Sequence, residues 1–356
     1  MGVAFFLAAL TNLTGTEQYR DLSLRAVTPI RTRLKEIVAD PNRASELKLR
    51  IGGLVGLGAL MYSFIHIASW VREPSLTSDA RDLLDLFTSE RIEGDKDLDI
   101  VAGSAGAILA LLAMEQIVRN FPQEEGKILQ IAEKCVRHLL SRRIVYEGRP
   151  RAWVTLTGFP PLTGFAHGAA GICYALLRFY KRTQNAEALA AAKEGIAFER
   201  SLFSSRHKNW RDLRHSDERF MVSWCHGAPG IALGRLGSLD VIDDIATREE
   251  ICNALSTTIE SEEARIDHLC CGNMGRVEIL LFASQRISDS DYLLDAAHAL
   301  TRKMLDSAGV DGHFRWLHQE GADIFSPSFF TGAAGVGYAF LRLAAPNQFP
   351  CVLLLE

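Results

Sequence analysis

Apolar positions in this chain fall into two alternating patterns. In one, a glycine-rich element opens a segment that is apolar on nearly every face. Seven copies run along the chain: GVAFFLAAL, GGLVGLGALMYSF, VAGSAGAILALL, AHGAAGICYALL, CHGAPGIALGRL, CGNMGRVEILL and TGAAGVGYAFLRL. In the other, covering 16–40, 124–143 and 290–309, apolar residues recur at helical spacing among charges. A helix apolar all round is buried, and one with a single apolar stripe is half-exposed. Taking Gly2, Gly56, Gly106, Gly171, Gly230, Gly275 and Gly335 as markers, the copies are spaced 54, 50, 65, 59, 45 and 60 residues apart. Each interval holds two helices and two loops. The predicted fold is therefore all-α, an α,α-toroid of seven inner helices within an outer helical ring. Strand signals are sparse, and 142–158 is the best candidate for a short hairpin. The first copy opens at Gly2, so an outer helix before it is expected to be missing. Six outer helices would face seven inner ones, with exposed apolar surface beside 1–10.

Composition adds limits. The chain has 356 residues, 48% hydrophobic and 23% charged, and a net charge of -4 from 39 basic and 43 acidic residues. The repeat covers it throughout, so 1–356 reads as a single domain. That charge balance gives no basic footprint for nucleic acid. The opening apolar run is too short to span a bilayer, and no basic residue precedes it as in a secretory signal. Seven cysteines, an odd count, fit a reducing, cytoplasmic setting better than a disulfide framework. Cys135, Cys173, Cys252 and Cys351 read as small buried hydrophobes.

The glycine elements share one end of the predicted barrel, so chemistry belongs at that rim. Two of them depart from plain Gly/Ala: SWCHGAPG supplies Cys225, and HLCCGNMG supplies Cys270 and Cys271. They occupy the same place in the repeat and should meet in space. Convergent thiolates suit tetrahedral zinc, and three protein ligands leave a fourth position open. His226 or His268 is the alternative third ligand in place of one cysteine. His167 sits at the matching place in GFAHGAAG, and Asp99 lies just before the third copy. Together they suggest a proton donor or acceptor and the carboxylate that orients it. Long connections, roughly 144–166, 204–226 and 308–331, carry Trp153, Trp210, Trp224 and Trp316. These either line a peptide groove or pack onto the rim. No phosphate loop, nucleotide fingerprint, HExxH or GxSxG element is present.

These motifs resemble the LanC-like cyclases, and most of all the C-terminal cyclase domain of class II (LanM-type) lanthipeptide synthetases. The resemblance runs along essentially the whole chain and is most specific in WCHGAPGIALGRL and DHLCCGNMGRVEILL. It implies an α,α-toroid that adds peptide Cys thiols to dehydroalanine or dehydrobutyrine, forming (methyl)lanthionine thioethers. It implies Zn2+ on Cys225, Cys270 and Cys271, with Cys271 standing where the family commonly has His. It matches His167 to the family's proton-transfer His and Asp99 to the Asp before the third repeat. The partners implied are a dehydrated precursor peptide and a dehydratase domain, which this sequence lacks. Other activities compatible with the same residues are addition of glutathione to dehydroamino acids and a non-catalytic zinc-containing scaffold. A prenyltransferase-type toroid fits the adjacent cysteines poorly.

Overall fold

The computed structural model describes residues 1–40, 49–119, 121–319 and 322–356. Numbered in chain order, α1 (Gly2–Thr14), α3 (Leu57–Trp70), α6 (Ser104–Val118), α8 (Ala169–Thr183), α10 (Ala228–Leu236), α12 (Asn273–Arg286) and α14 (Ala333–Ala344) form the inner ring. Each packs on the next, and α14 closes the ring on α1. The outer helices are α2 (Glu17–Ala39), α4 (Ser75–Asp82), α7 (Pro122–Ser141), α9 (Ala186–Arg200), α11 (Ile245–Glu260) and α13 (Asp291–Asp311). Each of these lies against the inner helix that precedes it. A short helix α5 (Ser89–Glu93) supports α7. No described helix is long and apolar enough to cross a membrane.

The two apolar patterns explain the two layers. In α6, thirteen of fifteen residues are buried, as suits a helix surrounded by protein. In α7 the buried apolar positions are Ile128, Ile131, Ala132, Cys135, Val136 and Leu139, one helical stripe. Among the described residues, six outer helices accompany seven inner ones, as expected. The inner helix without a following outer partner is α14, however, because each outer helix covers its predecessor. Exposed apolar positions do occur on α1, at Val3 and Leu13.

The repeat glycines have a common steric cause. A Cβ at Gly106, Gly171, Gly230, Gly275 or Gly335 would lie within 2.1 Å of a main-chain oxygen, those of Ile100, Phe165, Trp224, Leu269 and Phe329 respectively. Each partner is six residues upstream, where the entering loop folds back over the first helical turn. Gly56 departs from this register. It caps α3 at φ 123°, a left-handed conformation that favours glycine, instead of sitting inside the helix.

Buried ion pairs tie neighbouring elements together. Arg342 on α14 meets Glu278 on α12 at 2.9 Å. Arg235 on α10 meets Glu199 on α9 and Glu250 on α11, both at 2.8 Å. The C-terminal tail fills the ring from within. Cys351–Leu355 are buried, and Tyr62 on α3 donates its hydroxyl proton to the Glu356 carbonyl at 2.9 Å. Leu355 lines both a cavity of about 460 Å³ near the C-terminal ends of α6 and α8 and a small apolar recess at the opposite rim.

Two local expectations need correction. The 142–158 segment makes only a single bridge, Ile144 with Ala152. The paired strands lie elsewhere: β1 (Phe203–Ser204) with β2 (Asn209–Trp210), and β3 (Leu317–Gln319) with β4 (Ala322–Ile324). They are two- and three-residue turn hairpins, too short to leave a period in the sequence. Cys252 is exposed, because it falls on the solvent side of α11. Of the two placements open to the loop tryptophans, the structure has the second: all four are buried and pack onto the barrel.

Candidate active site

The rim at the N-terminal ends of the inner helices brings the three rim cysteines together. The turn before α10 is closed by a bridge between Val222 and Gly227. Gly227 has φ 85°, and a Cβ there would meet the Met221 carbonyl at 1.8 Å, so this corner needs glycine. The turn presents Cys225, whose Sγ lies 3.2 Å from the Ser223 hydroxyl. Before α12, the Cys270 amide donates to the Phe330 carbonyl at 2.9 Å. The Asn273 side-chain amide donates to Ala264 O and to Asp267 Oδ1, both at 2.9 Å. Asp267 in turn accepts the Arg315 main-chain amide at 2.8 Å and its Nη2 at 2.8 Å. The Cys270–Cys271 corner is thus held from both sides.

The Sγ atoms of Cys225, Cys270 and Cys271 all lie within 4.8 Å of one another. Cys225 and Cys271 are 3.2 Å apart, and Cys270 and Cys271 are 3.3 Å apart. These separations exceed a disulfide bond of ~2.05 Å. They are somewhat tighter than the ~3.8 Å spacing of sulfurs about 2.3 Å from a tetrahedral zinc. A modest spreading of the trio would therefore accept the ion, and its soft donors are the right kind. The Cys225 thiol is held well below its usual pKa by hydrogen bonds from the Cys270 and Cys271 thiols. The same contacts raise those two, Cys271 to about 12.

The imidazoles take other positions. Among the described residues neither His226 nor His268 belongs to the sulfur group. The His226 ring stacks on His167 with centroids 6.0 Å apart, and burial lowers its pKa. His268 lies under the corner, its Nδ1 3.4 Å from the Cys271 amide and its buried Nε2 without a hydrogen bond.

Asp99 and His167 meet directly. His167 Nδ1 lies 2.6 Å from Asp99 Oδ2, while Asp99 Oδ1 accepts the Ala102 amide at 2.8 Å. Asp99 is buried and the His167 side chain is about a quarter exposed (28%), so the ring is oriented from below and reachable from the rim. The loop carrying His167 packs against the cysteine turn: the Ala166 amide donates to Cys225 O at 3.3 Å. A Cβ at Gly164 would meet that same oxygen at 2.7 Å. All five candidate residues from the sequence therefore share one rim.

The sequence pattern does not single out the supporting groups. Asp267, Asn273 and Arg315 fix the cysteine corner, and Arg214, paired with Asp212, reaches Met221 at the start of the Cys225 turn. The Asp-x-Arg spacing of 212 and 214 is too common in loops to be a signal.

Comparison with known proteins bears on the family and the fold. The profile of the family described as "Lanthionine synthetase C-like protein" matches residues 1–354. The Lactococcus lactis subsp. lactis "Lacticin 481/lactococcin biosynthesis protein LcnDR2" is 26% identical over 308 residues, covering 82% of this chain. The match spans only 30% of that relative's length. Among solved structures, "Nisin cyclase" superposes with a TM-score of 0.69 over 99% of this chain and 90% of its own, at 18% identity. A polysaccharide lyase shares the helical architecture more distantly, with a TM-score of 0.51 at 11% identity over 91% of this chain and 97% of its own. With its profile matched from end to end, the chain belongs to the lanthionine synthetase C-like family.

Proposed function

We propose that this chain is a zinc-dependent lanthipeptide cyclase unit, residues 1–356, acting on peptide already dehydrated by a dehydratase. The observation that carries this is the convergence of three sulfurs next to an oriented Asp99–His167 pair on one rim. Cys225, Cys270 and Cys271 would hold Zn2+. When bound, the ion supplies acidification of a fourth thiol, that of the substrate cysteine.

The rest follows from this chain's own residues. The reaction adds S–H across the dehydro residue's double bond, so a C–S bond forms at the β-carbon and a C–H bond at the α-carbon. No group leaves. Negative charge develops on the neighbouring carbonyl before the α-carbon is protonated. Asp99 accepts the Nδ1–H of His167 and so leaves Nε2 as the base that takes up the proton released by the substrate thiol; the imidazolium, steadied by Asp99, then gives that proton to the α-carbon. Ser223 steadies the Cys225 sulfur by its hydroxyl contact.

Formal charge sets this site apart. A zinc dication with two thiolates and a neutral imidazole carries zero charge; with three thiolates it carries -1. With Zn2+ held by Cys225, Cys270 and Cys271, the three-sulfur set would supply weaker Lewis acidity than a set containing an imidazole and leave a substrate sulfur more nucleophilic.

The test is zinc content per chain, then conversion of a dehydrated peptide to thioether by mass spectrometry with thiol trapping. The wild type is expected to bind about one zinc and form rings, and Cys225→Ala to do neither. Addition of supplied glutathione in preference to the peptide's own cysteine would point to the glutathione-adding activity. Absence of zinc from reduced, folded protein supplied with metal would remove the proposal.

A further inference from the structure

Asp99 sits in a loop that one carboxylate staples at both ends. Asp95, just after α5, is buried, and its two oxygens serve opposite ends of the segment 97–104. Oδ1 accepts the main-chain amides of Asp97 at 3.0 Å and Leu98 at 3.3 Å. Oδ2 accepts the Ser104 main-chain amide at 2.7 Å and the Ser104 hydroxyl at 2.6 Å. Ser104 is the first residue of α6, whose own cap, Gly103, has no side chain to satisfy that amide. Asp95 is itself anchored from the outer ring: His138 on α7 donates its Nε2–H to the Asp95 carbonyl at 2.8 Å. The staple holds a turn that does not form freely. Leu98 has φ 61°, a left-handed conformation that costs a leucine steric energy. A Cβ at Gly103 would meet the main-chain nitrogen of Leu98 at 2.2 Å and that of Asp99 at 2.6 Å, so the far end of the loop is pressed against this turn. The next residue is Asp99, whose Oδ2 meets His167 Nδ1 at 2.6 Å. His167 is held by a different contact, from the Thr155 hydroxyl to its main-chain carbonyl. Loosening the staple therefore moves Asp99 and leaves His167 in place.

We propose that Asp95 is a positioning residue for the proton-transfer pair: by closing the 97–104 loop it enforces the left-handed turn at Leu98 and so aims the Asp99 carboxylate at His167. Its effect on rate rests on the cyclase reading above, and its effect on His167 rests on geometry alone. The Asp95 carboxylate is occupied by the four bonds of the staple, so it acts through Asp99. A side chain that only capped α6 would add to stability and leave the imidazole as it was. A positioning residue decides which ring nitrogen of His167 carries the proton, because the Nδ1–H form is favoured only while Asp99 is there to accept it.

The experiment reads the His167 tautomer by nitrogen NMR of the full chain, isotopically labelled at histidine, supplied with Zn2+ and kept at a pH where the ring is neutral; His167→Gln identifies the signal. The wild type is expected in the Nδ1–H form. Asp95→Ala should shift it largely to Nε2–H, the form a free imidazole prefers, and Asp95→Asn, which keeps one acceptor oxygen, should shift it less. Asp79→Ala, which strips a buried carboxylate from its Arg31 pair between α2 and α4, should leave the tautomer unchanged. In the cyclisation assay Asp95→Ala should lower kcat roughly 10–100-fold, the scale of a ~1 Å misplacement, with KM within about twofold. Adding Asp95→Ala to Asp99→Asn should cost less than about twofold more. Helical circular dichroism confirms that each variant is folded. An Nδ1–H signal retained in folded Asp95→Ala, or in Asp95→Asn where the alanine variant does not fold, overturns the inference, as does a full-size loss of rate on top of Asp99→Asn. A chain whose tautomer follows Asp95 but which forms no thioether would instead reject the cyclase reading and leave the staple standing.

Discussion

Replacing Gly230 by Ala tests whether the repeat glycines exist for backbone contact. Gly230 lies within α10, where alanine is intrinsically favoured by ~1 kcal/mol. Its added Cβ would sit 2.0 Å from the Trp224 carbonyl oxygen and 2.9 Å from Phe165 Cβ. Restoring ordinary contact requires a shift of about 1 Å in a buried main chain. Overpacking of this kind costs ~1–3 kcal/mol, and relief through backbone lies at the upper end. The displaced segment is Trp224–Cys225, whose carbonyl holds the Ala166 amide. Weakening that bond adds ~1 kcal/mol. The net expectation is a loss of about 2–3 kcal/mol, with a drop in zinc content because Cys225 moves with Trp224. The assay is urea unfolding followed by circular dichroism, with metal analysis of the folded protein. Gly126→Ala on the outer helix α7 is the matched control. Nothing lies within 4 Å of its Cβ, so the same substitution should stabilise by ~0.5–1 kcal/mol. A Gly230→Ala midpoint equal to or above the wild type would refute the steric account.

Asp99→Asn keeps the Ala102 contact but loses the charge beside His167, and should slow ring formation about 10–100-fold with zinc content unchanged; loss of zinc in this variant would reject the assigned division of roles. Cys271→His is expected to retain zinc and form rings more slowly, because the centre becomes neutral; faster cyclisation across a ring series would contradict the charge argument. Arg342→Met strands Glu278 in the inner ring and should cost ~3–5 kcal/mol in urea unfolding, most of it recovered when Glu278→Leu is added. Burial lowers the pKa of His66 on α3 to about 4, and its Nε2 has no partner. The unfolded chain therefore binds this proton more tightly, and stability present above pH ~6.5 is lost as pH falls towards ~4, by at most ~3 kcal/mol. His66→Leu should flatten that part of the stability–pH curve, and an unchanged slope would assign it to other groups.

Much of the architecture is legible in the chain because burial writes itself into sequence. Segments such as SAGAILALLAMEQIV have no polar face to give to water, and KILQIAEKCVRHLL has one, so the amino-acid pattern by itself separates the two layers. The rim is legible for a related reason. Only glycine tolerates the loop carbonyl over the first turn, so the elements carrying Cys225, Cys270 and Cys271 announce a shared position. What the pattern does not reveal is set by contacts without period. Arg214 and Arg315 act from irregular connections, and their value depends on what lies across space from them. The tryptophans illustrate the same limit. Loop position alone does not say whether Trp153 faces solvent, and its indole is buried with Nε1 bonded to Leu139 O at 2.8 Å.

The tail inside the ring has a consequence for traffic. Leu355 stands between the recess beside α1 and α3 and the cavity at the C-terminal ends of α6 and α8, and the segment Cys351–Leu355 is buried. If the chain acts on a peptide as proposed, that buried segment stands in the way of threading through the ring, and the peptide would enter and leave by the cysteine rim. A peptide with several reacting cysteines would then be served by repeated docking, each visit exposing a different loop of it, and the order of rings would be decided by which segment returns to the mouth first.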